Sequence, residues 1–94
     1  MIKVVHCRQA KYDVLIDRTT KWGNPFIVGK YGTRAQCIKK FEEYLIHNER
    51  LMESLHELKD KTLGCWCHPK PCHGDILKKY TDRLQEKNDK EKTF

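Results

Sequence analysis

Residues 64–75 read Gly-Cys-Trp-Cys-His-Pro-Lys-Pro-Cys-His-Gly-Asp and hold three of the five cysteines of the 94-residue chain. Residues up to Cys67 fit a strand, in which Cys65 and Cys67 face the same side. The two prolines end that strand, and Cys72 falls where the next helix should begin. The sequence therefore predicts a small site between a strand end and a helix start.

Two short β-rich stretches, residues 2–7 and 14–16, lie near the start of the chain. They are joined either as a hairpin or by an irregular crossing. Because helical patterns lie between them and the strand before the cysteine cluster, the helical crossover predicts parallel strands. We therefore predict a small α/β domain with a three-stranded, mainly parallel sheet and about three helices.

Helix signals are clear in the middle of the chain. Thr33 and Gln36 have the spacing of a capping box. The apolar spacing that follows predicts a helix whose buried face is formed by Ala35, Cys37, Ile38, Phe41, Tyr44 and Leu45. A shorter helix should bury Leu51, Met52, Leu55 and Leu58, and a last helix Ile76, Leu77, Tyr80 and Leu84.

Composition indicates one domain without a membrane span. Hydrophobic residues make up 38% of the chain and charged residues 34%, and no apolar run reaches the roughly 20 residues that span a bilayer. We predict a single domain over residues 1–84 and a charged, disordered tail over residues 85–94. An odd number of cysteines and the lack of a signal-peptide pattern favour a cytoplasmic protein with free thiols or metal ligands.

Positive charge is concentrated in two parts of the chain. Residues 1–34 carry seven Lys or Arg against two Asp, and residues 61–84 carry five against two. Such a distribution favours an anionic partner, namely a nucleotide, a phosphate or a nucleic acid. The alternative is a basic surface that only keeps the protein soluble.

The segment Lys21-Trp22-Gly23-Asn24-Pro25-Phe26 fits neither a helix nor a strand. Gly23 permits a positive φ, and Pro25 holds the preceding residue extended. The two aromatic residues either fasten this loop to the core or wall a pocket in which the Asn24 amide recognises a ligand.

Three kinds of chemistry fit the cysteine cluster. Cys65, Cys67, Cys72 and His73 make a Cys₃His set, which suits tetrahedral Zn²⁺. Alternatively, Cys72 at a helix start is a reactive thiol, with His73 beside it and Asp75 as the orienting acid, and these three are the catalytic candidates. A nucleophilic or redox role for the Cys65/Cys67 pair is the other form of this possibility.

The third possibility is anion binding without metal or covalent chemistry. Its candidate ligand-binding residues are Arg18, Trp22, Gly23, Asn24, Lys70 and Gly74. A structural role for the cysteines, as small buried residues around a proline-rich corner, stays open beside all three.

The motifs Trp22-Gly23-Asn24-Pro25-Phe26, Gly64-Cys65-Trp66-Cys67 and Pro71-Cys72-His73-Gly74-Asp75 together resemble a family of small uncharacterised proteins. That family is found largely in bacteriophages and bacteria and is catalogued as a domain of unknown function. The resemblance covers most of the chain and implies a phage-type protein in the host cytoplasm, but no activity. Asp17 departs from the family pattern, in which a small residue is expected before Arg18.

These observations favour a small cytoplasmic protein with an anion- or nucleotide-directed site built on the Cys/His cluster. The alternative is a non-enzymatic effector that binds a host protein or nucleic acid and uses the cluster as a structural zinc site. Whether the protein is an enzyme is left open by the sequence.

Overall fold

The sheet of the protein consists of three parallel strands in one layer. A computed structural model describes residues 2–91, with side chains described for residues 2–85. The strands are β1 (Lys3–His6), β2 (Val14–Leu15) and β3 (Thr62–Cys65). β3 lies in the middle, and both other strands run parallel to it. The predicted three-stranded parallel sheet is confirmed.

The connection between β1 and β2 is a crossing, so the hairpin alternative is wrong. Val5 and Leu15 are both register partners of Gly64, on opposite sides of β3. The chain therefore passes from one edge of the sheet to the other between these two strands. As a result, all three strands end at the same edge, where ligands of parallel sheets usually bind.

Three α-helices and one short 3₁₀ helix cover the sheet. They are α1 (Arg34–Ile46), α2 (Glu49–Ser54), the 3₁₀ helix (Leu55–Leu58) and α3 (His73–Glu91). The predicted capping box is confirmed, because Thr33 Oγ1 accepts the Gln36 N–H and the Gln36 side chain accepts the Thr33 N–H. Local spacing thus sets the start of α1.

Most of the buried side chains among the described residues belong to a hydrophobic cluster between the helices and the sheet. On α1, Cys37, Phe41 and Leu45 are buried as predicted. Tyr44, which the pattern also placed inward, has 38% of its surface exposed, and Ala35 is exposed as well. The buried face of α1 is thus narrower than the apolar stripe in its sequence.

Helix α3 runs on to Glu91, beyond the domain boundary predicted at residue 84. The backbone of the predicted tail is therefore helical up to that residue, and residues 92–94 lie outside the described residues. Within the described chain, no helix combines the length and the apolar character that crossing a bilayer requires.

Candidate functional site

A pocket of about 130 Å³ opens at the edge where the strands end. It lies between the residues that follow β2, those that follow β3, and the first turns of α1 and α3. Of the residues predicted for the site, the pocket brings together Arg18, Asn24, Cys65, Cys67, Cys72 and His73. The prediction that a site forms between the end of β3 and the start of α3 therefore has a matching cavity.

Two sulfur atoms lie in contact at the base of this pocket. Cys72 Sγ is 3.6 Å from Cys65 Sγ and donates its hydrogen to it. Cys65 Sγ also accepts the His68 backbone N–H at 3.3 Å. The Cys72 thiol, together with the His68 and Cys67 N–H groups, lowers the pKa of Cys65 to about 6.

The same shared hydrogen bond acts in the opposite direction on Cys72. Donation to Cys65, followed by burial, raises the pKa of the Cys72 thiol. The sequence favoured Cys72 as the reactive sulfur because it stands at a helix start. In the structure Cys72 donates the shared hydrogen bond and Cys65 accepts it, which favours the thiolate form at Cys65 rather than at Cys72.

His73 is held by the backbone next to the sheet. Its Nε2 lies 2.6 Å from the Ile16 carbonyl oxygen, and its ring packs edge-on against Phe41 with 5.1 Å between centroids. Burial lowers the pKa of His73 below its usual value, although the hydrogen bond to Ile16 opposes this. The ring is therefore mainly neutral at pH 7, and it ties α3 to the residues after β2.

Asp75 has a different contact from the one predicted. Its carboxylate accepts the Cys72 backbone N–H at 3.1 Å, which satisfies a donor at the start of α3. In the described contacts this carboxylate is hydrogen-bonded to backbone rather than to the His73 ring. Its position fits capping of the helix better than orientation of an imidazole.

The four predicted metal ligands do not converge on one point. Among the side chains that the structure describes, no group of three or more His, Cys, Asp or Glu is placed to hold a metal ion. One reason is that His73 Nε2 is engaged by a carbonyl oxygen. This geometry does not fit a Cys₃His zinc site, and the zinc prediction receives no support from it.

Two arginines line the pocket, Arg18 from the segment after β2 and Arg34 from the start of α1. Arg18 Nε donates to the Asn24 carbonyl at 3.0 Å, and Arg34 Nη1 donates to the Pro71 carbonyl at 3.4 Å. These contacts orient both guanidinium groups at the pocket wall. Arg34 was missed by the sequence reasoning, which used residues 33–36 only to place the start of α1.

Asn24 lines the pocket, but its amide is used inside the protein. Its Nδ2 donates to the Cys37 carbonyl at 3.3 Å, and its Oδ1 accepts the Phe26 N–H at 2.9 Å. The amide therefore fastens the loop to α1, which leaves little of it for ligand recognition.

Trp22 does not wall the pocket, so that prediction is wrong. Its side chain is only 3% exposed and belongs to the hydrophobic core. Gly23 beside it is packed against backbone, because a Cβ there would lie 2.4 Å from the Asp17 carbonyl oxygen. Of the two readings of this loop, fastening to the core is the correct one for Trp22.

Lys70 and Gly74 are also absent from the pocket lining that the described residues form. Lys70 is exposed. Gly74 is buried, and a Cβ at this position would come within 2.9 Å of Ile16 Cδ1. Gly74 therefore allows α3 to pack closely on the sheet.

Trp66 is the aromatic residue that the sequence reasoning overlooked. It lines the pocket with 52% of its surface exposed. Its Nε1 donates to the Asp17 carboxylate at 3.1 Å, and the Arg8 guanidinium lies 5.2 Å from its ring centre. Alternation was no guide to Trp66, because it predicts that this ring faces away from the two cysteines, whereas all three residues line the pocket.

Asp17 completes this corner of the pocket. Its carboxylate accepts hydrogen bonds from the Thr19 hydroxyl and backbone and from Trp66. These hydrogen bonds lower the pKa of Asp17, and the one from the Thr19 hydroxyl has the largest effect. The residue that departed from the expected family pattern is thus an ionised group at the pocket rim. Phe26, the second of the two aromatic residues that the sequence offered as pocket walls, does line the pocket. Further lining residues not predicted from sequence are Val28, Cys37 and Ile38.

Comparison with known proteins identifies relatives but no activity. A family described as "Domain of unknown function (DUF4326)" matches residues 3–83. An uncharacterised 12.4 kDa protein encoded in the nrdA-td intergenic region of Enterobacteria phage T4 is 39% identical over 89 residues, which cover 89% of this chain and 81% of the relative.

The uncharacterised protein R718 of Acanthamoeba polyphaga mimivirus is 40% identical over 66 residues, 62% of this chain and 50% of that protein. No solved structure matches the chain significantly.

Proposed function

The chain belongs to the DUF4326 family, with relatives in a bacteriophage and a mimivirus, and we propose that its pocket binds a nucleotide. The observation that supports this most is the pairing of two arginines, Arg18 and Arg34, with aromatic rings in one cavity at the end of a parallel sheet. Guanidinium groups suit phosphate, and exposed rings suit a base.

Both arginines keep donors for a ligand. Arg18 uses its Nε for a carbonyl, and within the described residues its two terminal nitrogens make no hydrogen bond. Arg34 uses one terminal nitrogen. A guanidinium has five N–H donors in a planar fork, so each side chain is held in place and can still bind phosphate through two oxygens.

The remaining polar groups favour a nucleotide over a simple anion. The Asp17 carboxylate and the Cys65 thiolate offset part of the positive charge of the arginines. A bare phosphate would meet the negative groups as well as the arginines. A nucleotide also brings hydroxyl and amino groups, which can donate hydrogen bonds to a carboxylate. The exposed Trp66 ring at the rim supplies a stacking surface for the base.

The size of the cavity agrees with partial enclosure of such a ligand. A volume of about 130 Å³ has room for a group of a few heavy atoms, given that a water molecule takes about 30 Å³ in the liquid. We therefore place the phosphate inside, between the arginines, and the base against Trp66 at the opening.

Calorimetric titration tests this proposal directly. Nucleoside mono-, di- and triphosphates are compared with the matching nucleosides and with inorganic phosphate. We expect the nucleotides to bind more tightly than either of their parts. Arg18→Gln and Arg34→Gln should each weaken binding about tenfold or more, since hydrogen bonds to charged groups are worth roughly 1.5–3 kcal/mol.

Arg50→Gln is the matched control, because Arg50 is an exposed arginine on α2 away from the pocket. It removes the same charge and should leave the affinity unchanged. If nucleotides do not bind, or if all three arginine variants lose affinity equally, the pocket is not a nucleotide site.

The alternative of an effector with a structural zinc site remains open to experiment. Its basis is weakened by the His73 contact with Ile16 and by the lack of convergence of the predicted ligands. Metal analysis of the purified protein decides this point, since about one bound equivalent would be needed for a stabilising site.

A further inference from the structure

A cluster of three aromatic rings lies on the outside of the protein beside the pocket. The Phe26 ring packs edge-on against Tyr31 and Tyr44, with centroid distances of 5.7 and 6.2 Å. Tyr31 is 41% exposed and Tyr44 is 38% exposed. These rings were not buried by the fold, although each is large enough to contribute to a core.

Two lysines stand over these rings. Lys40 Nζ is 6.0 Å from the centre of Phe26 and 5.9 Å from that of Tyr31, and Lys30 Nζ is 5.6 Å from Tyr31. No carboxylate of the described side chains forms an ion pair with either lysine. We call Phe26, Lys30, Tyr31, Lys40 and Tyr44 the aromatic–basic surface.

The chain segment that carries most of this surface is rich in basic residues. Residues 18–41 contain six Lys or Arg and no Asp or Glu. Of these six, Lys21 is paired with Glu57 at 3.0 Å, whereas Lys30 and Lys40 at the rings have no such partner among the described side chains. Of the acids that follow, Glu42 is engaged by Lys79 Nζ and the Tyr80 hydroxyl, each at 2.9 Å, and Glu43 is exposed beside Tyr44. The uncompensated positive charge therefore calls for an anionic partner, and the exposed rings call for one with flat apolar faces.

We propose that the aromatic–basic surface binds single-stranded nucleic acid, and that the nucleotide held by the pocket is part of that strand. This inference rests on the proposed function and names its substrate class. Bases of a single strand stack on exposed aromatic rings, while lysines follow the phosphates. In a duplex the faces of the bases are covered by their neighbours, so rings of this kind would have nothing to stack on.

Phe26 connects the two sites. It lines the pocket and is also the central ring of the aromatic–basic surface. Arg34, at the start of α1, lies at the pocket wall, and Lys40 follows on the same helix. A strand with one nucleotide at the arginines would therefore continue past Phe26 towards Tyr44.

Fluorescence anisotropy with a labelled oligothymidylate of about 12 nucleotides, within the usual site sizes of such proteins, provides the test. We expect the oligonucleotide to bind at least tenfold more tightly than thymidine monophosphate. Tyr31→Ala should weaken oligonucleotide binding about tenfold, whereas Tyr31→Phe, which keeps the ring, should not. The logarithm of the binding constant falls linearly with the logarithm of the salt concentration, and Lys40→Gln should make this slope less steep by about 0.7, which corresponds to the loss of one phosphate contact.

Controls separate this inference from the proposed function. Lys11→Gln removes an exposed lysine elsewhere and should change neither affinity nor salt slope. Tyr31→Ala and Lys40→Gln should leave the binding of free thymidine monophosphate unchanged, because neither residue lines the pocket. Arg34→Gln should weaken the binding of both the oligonucleotide and thymidine monophosphate.

Three results would overturn the inference while leaving the pocket proposal intact. They are equal affinity for oligonucleotide and mononucleotide, undiminished oligonucleotide binding in both Tyr31→Ala and Lys40→Gln, and binding of anionic phospholipid vesicles in place of the oligonucleotide. A different result would reject the pocket as the nucleotide site: oligonucleotide binding that depends on Tyr31, with no binding of mononucleotides and no effect of Arg34→Gln.

Discussion

The loop over residues 21–26 and the segment over residues 64–75 each carry a tryptophan, yet they use it in opposite ways. Trp22 is 3% exposed and packs in the core, whereas Trp66 is 52% exposed at the pocket rim. Trp66 directly follows β3, and the hydrogen bond from its Nε1 to the Asp17 carboxylate holds the ring at the rim. Trp22 sits in an irregular loop, where only the surrounding contacts decide which way the ring points.

The polar groups of the two segments show the same contrast between a structural role in the first segment and a place at the pocket in the second. In the first segment, the Asn24 amide is consumed by hydrogen bonds to the backbone of α1 and to Phe26. In the second, the Cys72 thiol donates a hydrogen bond to the Cys65 sulfur at the pocket. The first segment thus uses its amide to hold the loop in place, whereas the second places its sulfurs at the pocket.

The largest effect that tests this contrast is expected from truncation of the two tryptophans. Trp22→Ala should lower the free energy of unfolding by about 3–5 kcal/mol, because it leaves a large cavity in the core. Trp66→Ala should cost about 1 kcal/mol or less, as its ring is half exposed. Urea unfolding measures both, and similar losses would show that the tryptophans have equivalent structural roles.

A smaller difference is expected between glycines of the two segments. In Gly23→Ala the new methyl group would meet backbone atoms of Asp17 and Arg18 at 2.4 and 2.5 Å, and the strain should cost about 1–3 kcal/mol. In Gly64→Ala it would meet the Tyr12 ring at 2.6 Å. Because Tyr12 is an exposed side chain that can turn away, the loss of unfolding free energy should be smaller. Thermal and urea unfolding of both variants decide the order.

A third test concerns the pH dependence of stability. The pKa of Cys65 is about 6 in the folded protein, below its ordinary value near 9. Between those values the unfolded chain holds a proton that the folded protein has lost, so stability rises with pH, by at most about 1.4 kcal/mol per pH unit. This contribution is lost as the pH falls through about 6.

Urea unfolding under reducing conditions, from pH about 6 to about 9, measures this slope. Cys65→Ala should give a flatter profile than the unchanged protein. Cys37→Ala serves as the control for removal of a buried sulfur. Parallel profiles for the protein and Cys65→Ala would contradict the assignment of the thiolate to Cys65.

Much of the fold could be predicted because it depends on neighbours in sequence. The capping box of Thr33 and Gln36 needs only a spacing of three residues. The meeting of Cys65 and Cys72 was within reach too, since a short proline-containing loop joins the end of β3 to the start of α3. The crossing between β1 and β2 was not decided, because no turn signal distinguishes it from a hairpin.

The missed residues of the site depend on packing between distant elements. Arg34 reaches the pocket through the contact of its guanidinium with Pro71, 37 positions away. Trp66 is held by Asp17, 49 positions away. Neither contact leaves a mark in local spacing.

By itself, the sequence determined a parallel α/β domain with a cysteine-rich corner at the end of its central strand, because alternation, helical periodicity and proline act over a few residues. Only the tertiary structure decided which tryptophan is buried, which cysteine accepts the shared hydrogen, and which arginines face the cavity. Those outcomes depend on burial and on hydrogen bonds between segments that are distant in the chain. The burial and the hydrogen bonds that decide them form only when the helices pack on the sheet.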